Sequence, residues 1–407
     1  MAVLELSDVR ALTEALAAPL SPEDQAIQSM PDVSPTKWHR AHTTWFFETF
    51  VLQRYAAGYK VFDDHFGFLF NSYYESVGAR HPRPHRGLLS RPSADEVGAY
   101  RRHVEQELAD FLYCGVPAEI DALVELGLHH EQQHQELLLM DIEHVLSVNP
   151  MRPAYRTLPA AVPDATAPAR LIEHDGGIVE IGHDGAGFSF DNEAPRHEVL
   201  LRPFAIADRL VTCGEWKAFV ADGGYARPEL WMSDGWYAIA DNGWDAPLYW
   251  EHLDGEWWVF TLGGLRPLAD DEPVCHVSWF EADAFARWSD ARLPTEAEWE
   301  ASAPAPPPGA HLDLDRLHPC PSSLSVDPQQ WYGELWQWTE SAYRPYPGFA
   351  PAPGAVGEYN GKFMVNQHVL RGSACVTPPG HARRSYRNFF PPSARWPFTG
   401  VRLARDL

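Results

Sequence analysis

The chain has 407 residues, enough for about two or three domains that each bury a core. Its 32 Lys and Arg stand against 56 Asp and Glu, a net charge of -24 that repels nucleic acid and anionic membrane surfaces. Five cysteines (Cys114, Cys213, Cys275, Cys320, Cys375) are scattered without a C-x-x-C pair, so neither a disulfide framework nor a cysteine zinc site is indicated, and a reducing cytoplasm fits. The N-terminus lacks the basic and apolar regions of a signal peptide, and no apolar run approaches membrane-spanning length. We therefore expect a soluble protein.

Residues 5–28 read as an amphipathic helix with a Ser-Pro restart. Ser34-Pro35 then offers an N-cap with Pro at the first helical position. The helix it opens places Trp38, His42, Trp45 and Thr49 on one face, so His42 occupies an inward position among large apolar groups. A satisfied core histidine is the alternative, and His39 is the neighbour that could take its place.

Phe66 to Glu75 follows, with the pair Tyr73-Tyr74. Arg80-His-Pro-Arg83-Pro-His-Arg86 comes next, which alternating prolines should keep extended. Arg80, Arg83, Arg86 and Arg91 concentrate there, an arrangement suited to capturing a carboxylate or to forming surface ion pairs. Helical patterns resume over 94–113 and 118–147. Within the second, His129-His130-Glu131-Gln132-Gln133-His134-Gln135-Glu136 packs more metal-capable side chains into eight residues than any other stretch.

His130 and His134 are i and i+4 on that helix, and they continue the stripe of Leu123, Gly127, Leu137 and Leu138. Two imidazoles stand where core leucines belong. Burying them is costly unless their nitrogens find partners, which a metal ion or internal hydrogen bonds can supply. His130-Glu131-x-x-His134 also fits the zinc-protease pattern, but no third His follows at the metzincin spacing. The first 150 residues thus form about four long helices, a bundle with an interior metal site.

Residues 150–168 turn to Pro, Ala and Thr without periodicity, marking a linker, which we place at 151–170. Beyond it, 177–182, 197–201 and 257–261 read as short strands. Helices are expected only near 212–221 and 279–291. Residues 301–310 form a Pro-rich loop, and 343–359 a long Pro/Gly loop whose length hints at function.

Several motifs in order carry a resemblance: Phe188-Ser-Phe-Asp-Asn-Glu193 with Pro195-Arg-His197, Pro273-Val-Cys-His-Val-Ser-Trp279, Arg292-Leu-Pro-Thr-Glu-Ala-Glu-Trp-Glu300, Gly333-Glu-Leu-Trp-Gln-Trp338, Leu370-Arg-Gly-Ser373 and Gly400-Val-Arg402. Residues 171–407 resemble the formylglycine-generating-enzyme (sulfatase-modifying factor) module, which implies a C-type-lectin-like fold with little regular structure. True formylglycine-generating enzymes carry a pair of copper-binding cysteines near the C-terminus, where this chain has only Cys375, so copper chemistry is not expected. Residues 1–150, through Ser34-Pro-Thr-Lys-Trp38-His-Arg-Ala-His42 and His130-Glu-Gln-Gln-His134, resemble the DinB-like four-helix bundle. The whole is an α+β chain similar to the non-haem iron sulfoxide synthases of ergothioneine biosynthesis.

That resemblance implies Fe(II) held by His42, His130 and His134, with O2 as co-substrate. It implies joining of a cysteine sulfur to C2 of the N-alpha-trimethylhistidine (hercynine) imidazole, with oxidation to the sulfoxide. Three imidazoles would leave half of an octahedral sphere open for these partners. Tyr73 or Tyr74 is the expected proton donor, with aromatic packing as its alternative. Arg83 and Arg86 would hold the cysteine carboxylate.

Gln133 and Asn388 would offer oxygens to the trimethylammonium, and Phe389 and Phe390 their ring faces. Family members that use gamma-glutamylcysteine carry Asn-Trp-Asp where this chain has Asn388-Phe389-Phe390, so the type that takes L-cysteine directly fits better. The site would lie between the two halves. Selenoneine synthases and ovothiol-type synthases share the architecture and remain alternatives. A non-catalytic binding module is the alternative from another class.

Overall fold

The computed structural model describes residues 5–113, 115–159, 166–323, 329–352, 354, 357 and 360–407. Cys114, residues 160–165 of the linker, and residues 353, 355, 356, 358 and 359 of the long loop lie outside the described residues. The chain forms two compact units, Met1–Arg156 with Ala352–Tyr359, and Thr157–Pro351 with Asn360–Leu407.

The first unit is helical: α1 Leu6–Ala17, α2 Thr36–Phe47, α3 Gln53–Tyr55, α4 Phe66–Leu69, α5 Ala94–Tyr113 and α6 Ala118–Ser147. Helix α2 packs on α5 and α6, and α1 packs on α6. The shared core is aromatic, built on Trp38, Trp45, Phe46, Phe47, Phe50, Phe66, Phe70 and Tyr100. Every residue of α2 is buried, so this helix has no solvent face. Between α2 and α3 the backbone widens into a π turn, Glu48–Leu52. Its first residue, Glu48, accepts hydrogen bonds from the hydroxyls of Tyr59 and Tyr100.

The bundle departs from the sequence reading in three places. Helix α1 stops at Ala17, ahead of Pro19, and the Ser21-Pro22 restart does not open a second helix as far as residue 28. A short 3-10 turn, Asp24–Ala26, follows. Ser34 does not cap α2: Pro35 holds the N-cap position, and the Ser34 hydroxyl accepts instead from Arg86. The Arg-Pro segment is not extended throughout, since Arg83–Leu88 forms a 3-10 turn in which Pro84 sits near the start, where its missing N–H costs nothing.

The second unit holds short strands and four helices among its described residues: α7 Cys213–Ala221, α8 Ser233–Asn242, α9 Trp279–Trp288 and α10 Glu296–Ser302. Helices α7, α9 and α10 start alike, with Thr212, Ser278 and Thr295 in reciprocal capping boxes with Glu215, Glu281 and Glu298. The sequence reading gave two helices here and missed α8 and α10. The first is rich in Gly, Trp, Tyr and Asn, which score as turn or strand, and the second spans under two turns.

The strands make four small sheets. One joins β1 Leu171–His174, β4 Phe204–Ala207 and β12 Ala404–Asp406, bringing the unit's first and last strands onto the same partner. A hairpin pairs β2 Gly177–Ile181 with β3 His197–Leu201, and a meander links β5 Trp250–Leu253, β6 Glu256–Thr261 and β7 Gly264–Pro267. The fourth has the order β10-β9-β8-β11, from β8 Trp336–Ala342, β9 His368–Gly372, β10 Asn388–Phe390 and β11 Thr399–Gly400. The whole is a mixed α+β chain, with helices gathered in the first half and small sheets in the second.

Candidate metal centre

Helices α2 and α6 bring together three imidazoles that are far apart in sequence. One ring nitrogen from each of His42, His130 and His134 lies within 4.8 Å of the others, the one such cluster of three potential metal ligands among the described residues. Ring centroids are 5.0 Å apart for His42 and His130, and 4.7 Å for each of the other two pairs. Their exposures are 0%, 2% and 9%. Burial pushes all three below the usual imidazole value, His130 to about 4 and the other two well down. They are therefore neutral near pH 7, the form that donates a lone pair to a metal.

The orientation of His42 follows from its neighbours. Its Nδ1–H donates to the Phe70 carbonyl at 2.6 Å, which leaves the lone pair on Nε2. That Nε2 is buried and meets no protein hydrogen-bond partner. A buried acceptor left this way costs about 1–3 kcal/mol, so it fits a site completed by a bound group. Trp38 (4.6 Å, 13°) and Trp45 (5.6 Å, 16°) both stack near-parallel to the ring. His39 is not a fourth member: its Nδ1 touches His134 Nδ1 at 2.9 Å and its Nε2 touches Asp141 Oδ2 at 3.0 Å. The sequence reading saw His39 only as a substitute for His42.

Glu131, the acid of the zinc-protease pattern, is engaged elsewhere. It is fully buried, and its carboxylate accepts from Arg10 (2.9 Å), Arg101 (2.8 Å) and Thr13 (2.7 Å). Burial alone would raise its pKa, but the two guanidiniums hold it at about 2. A carboxylate so committed cannot serve as the general base of a metalloprotease.

The arginines expected to act as one cluster separate. Arg80 pairs with Glu75 at the surface, and the exposed Arg83 donates to the Asp32 carbonyl. Arg86 is 3% exposed, lies 3.3 Å over the Trp38 ring, and donates to the hydroxyls of Ser34 and Ser72. No carboxylate pairs with it among the described residues. Burial first, and Arg83 and Arg80 next, push it down to about 8, so a bound anion would relieve it.

Tyr74 is 2% exposed and packs on Trp45 and Phe50 inside the aromatic core, while Tyr73 is half-buried against it, 4.7 Å away. Gln133 is half-buried on α6 beside His134. Asn388, Phe389 and Phe390 belong to the second unit, where they form β10 opposite Leu370, Val369 and His368. Phe389 stacks on Tyr343 at 4.1 Å, and Phe390 sets its edge to Trp396.

Comparison with known proteins places both halves. Residues 5–138 match the DinB superfamily, and residues 158–313 and 324–407 match the sulfatase-modifying factor enzyme 1-like domain. A helical bundle of the first kind joined to a module of the second defines the class of protein. The chain is 35% identical over 310 residues to the hercynine oxygenase of Mycolicibacterium smegmatis, covering 69% of this chain and 71% of that one. It is 32% identical over 352 residues to the hercynine oxygenase of Mycobacterium tuberculosis (80% and 81%), and 34% over 362 residues to that of Mycolicibacterium thermoresistibile (81% and 78%). The chain belongs to the hercynine oxygenase family.

Proposed function

We propose that the chain is an iron-dependent sulfoxide synthase of ergothioneine biosynthesis, joining the sulfur of L-cysteine to C2 of hercynine with O2 as oxidant. The observation that carries this reading is the buried cluster of His42, His130 and His134, with the unpartnered His42 Nε2, in a chain of this family. Fe(II) bound there would supply open coordination positions and the redox chemistry for O2. Overall, one imidazole C–H, one thiol S–H and one O2 become a C–S bond, a sulfoxide oxygen and one water.

The chain's own residues supply binding and orientation. His42, His130 and His134 hold the ion. Arg86 binds the cysteine carboxylate, supported by its buried guanidinium without an ion-pair partner among the described residues. Arg83 is exposed and already donates to the Asp32 carbonyl, which makes it the weaker of the two for that role. Tyr73 is the better candidate of the two tyrosines for moving a proton, because Tyr74 is enclosed in the core. Gln133, Asn388, Phe389 and Phe390 are assigned to the trimethylammonium on sequence grounds. This reading has it act on small molecules, and the net charge of -24 disfavours nucleic acid and anionic membrane surfaces as partners; no helix of the described residues is long and apolar enough to cross a membrane.

The test is aerobic turnover of Fe(II)-loaded protein with hercynine and L-cysteine, with the product weighed by mass spectrometry. The expected product is hercynylcysteine sulfoxide. Consumption of O2 with cysteine alone and no coupled product would contradict the reading, and coupling only with a selenium donor would assign the selenoneine reaction instead.

A further inference from the structure

His134 differs from His42 in what stands behind it. His42 passes its Nδ1–H to a backbone carbonyl, whereas His134 Nδ1 meets a second imidazole, His39, which in turn meets Asp141. The row is enclosed: His39 is 2% and Asp141 4% exposed. Asp141 Oδ2 is also held by the backbone N–H of Ser34 at 2.7 Å, and the Ser34 hydroxyl accepts from Arg86 at 2.9 Å.

Donor and acceptor roles along this row are linked, and a neutral His39 beside an ionised Asp141 fixes them. A carboxylate only accepts, so the proton between His39 and Asp141 sits on His39 Nε2. A neutral His39 then presents a bare Nδ1. The 2.9 Å contact needs one donor, so His134 Nδ1 carries the proton and its lone pair lies on Nε2. Hydrogen bonds of this kind set which nitrogen of a ligating histidine is available and how its ring is held.

We propose that His39 and Asp141 are a positioning pair for the metal centre: Asp141 orients His39, and His39 fixes His134 with its Nε2 lone pair available to a metal. The inference rests on the three-histidine reading of the site. Neither residue touches the ion or a substrate. Because Ser34 ties the same carboxylate to Arg86, the pair also connects the ligand to the arginine assigned to substrate.

Two measurements test it. In metal-free protein labelled with 15N-histidine, NMR should show His134 protonated at Nδ1 and bare at Nε2; the opposite tautomer would overturn the proposal. Co(II) titration should show affinity falling by roughly 10–100-fold in His39→Phe. It should recover in His39→Gln, whose amide oxygen can accept from His134 while its NH2 donates to Asp141. A His39→Phe protein that binds Co(II) as tightly as the wild type would overturn the pair alone. So would a folded His39→Gln protein as weak as His39→Phe. Failure of the wild type to take up Co(II) through His42, His130 and His134 would overturn the metal centre itself, and the pair with it. Should His39→Phe fail to fold, the tautomer of the wild type decides.

Discussion

At the scale of single residues, α6 shows how neighbours on one helix acquire opposite jobs. His130 and Glu131 are adjacent and both buried, yet one joins the imidazole cluster and the other neutralises Arg10 and Arg101. Removing the Glu131 charge leaves Arg10 buried without a carboxylate partner, while Arg101 keeps only the half-exposed Glu14. Glu131→Gln should therefore cost roughly 3–5 kcal/mol of unfolding free energy, read from urea denaturation at pH 7. The pH dependence has a definite sign. The folded-state pKa of about 2 lies below the ordinary 4.5, so this contribution is present above about pH 4.5 and is lost as pH falls toward 2. Across that window the wild type should lose stability more steeply than Glu131→Gln. Parallel slopes would show that the ion pairs do not carry it.

At the scale of elements, the bundle depends on how closely α6 approaches α2. Gly127, one turn before the histidines, faces Phe46 and Phe47; a Cβ there would stand 2.8 and 2.6 Å from their ring carbons. Alanine is the better helix former by about 1 kcal/mol, but crowding two buried rings costs about 1–3 kcal/mol. Gly127→Ala should lower the urea midpoint despite the propensity gain, and an unchanged or higher midpoint would contradict this packing account.

The same helices show what a sequence makes legible. Residues 94–113 and 118–147 are long periodic segments, and they appear as α5 and α6 with those bounds. The inward positions of His42, His130 and His134 follow from period alone. What period could not supply was the opposite side of α6, where Glu131 and Gln135 are also buried because arginines and backbone carbonyls reach them from α1 and α5. Nor could it supply the His39–Asp141 contact, which joins residues 102 positions apart. The short restart after α1, the misassigned Ser34 cap and the missed α8 and α10 are local failures of another kind: prolines, a competing arginine and turn-like composition set those boundaries.

At the scale of the whole molecule, the second half was recognisable from ordered motifs rather than from element patterns. Its strands are short and its sheets small, so alternation gives weak signals, while Thr295 to Glu298 and its counterparts mark helix starts through side-chain capping. Charge and composition said nothing about a metal; the histidine spacing pointed to one, and the family resemblance implied that it is Fe(II). The account therefore turns on the ion. X-ray diffraction from crystals grown anaerobically with Fe(II), recorded across the iron absorption edge, should show one anomalous peak within bonding distance of His42, His130 and His134. A peak elsewhere, or a His42 ring turned away from the other two in the iron-loaded protein, would contradict it.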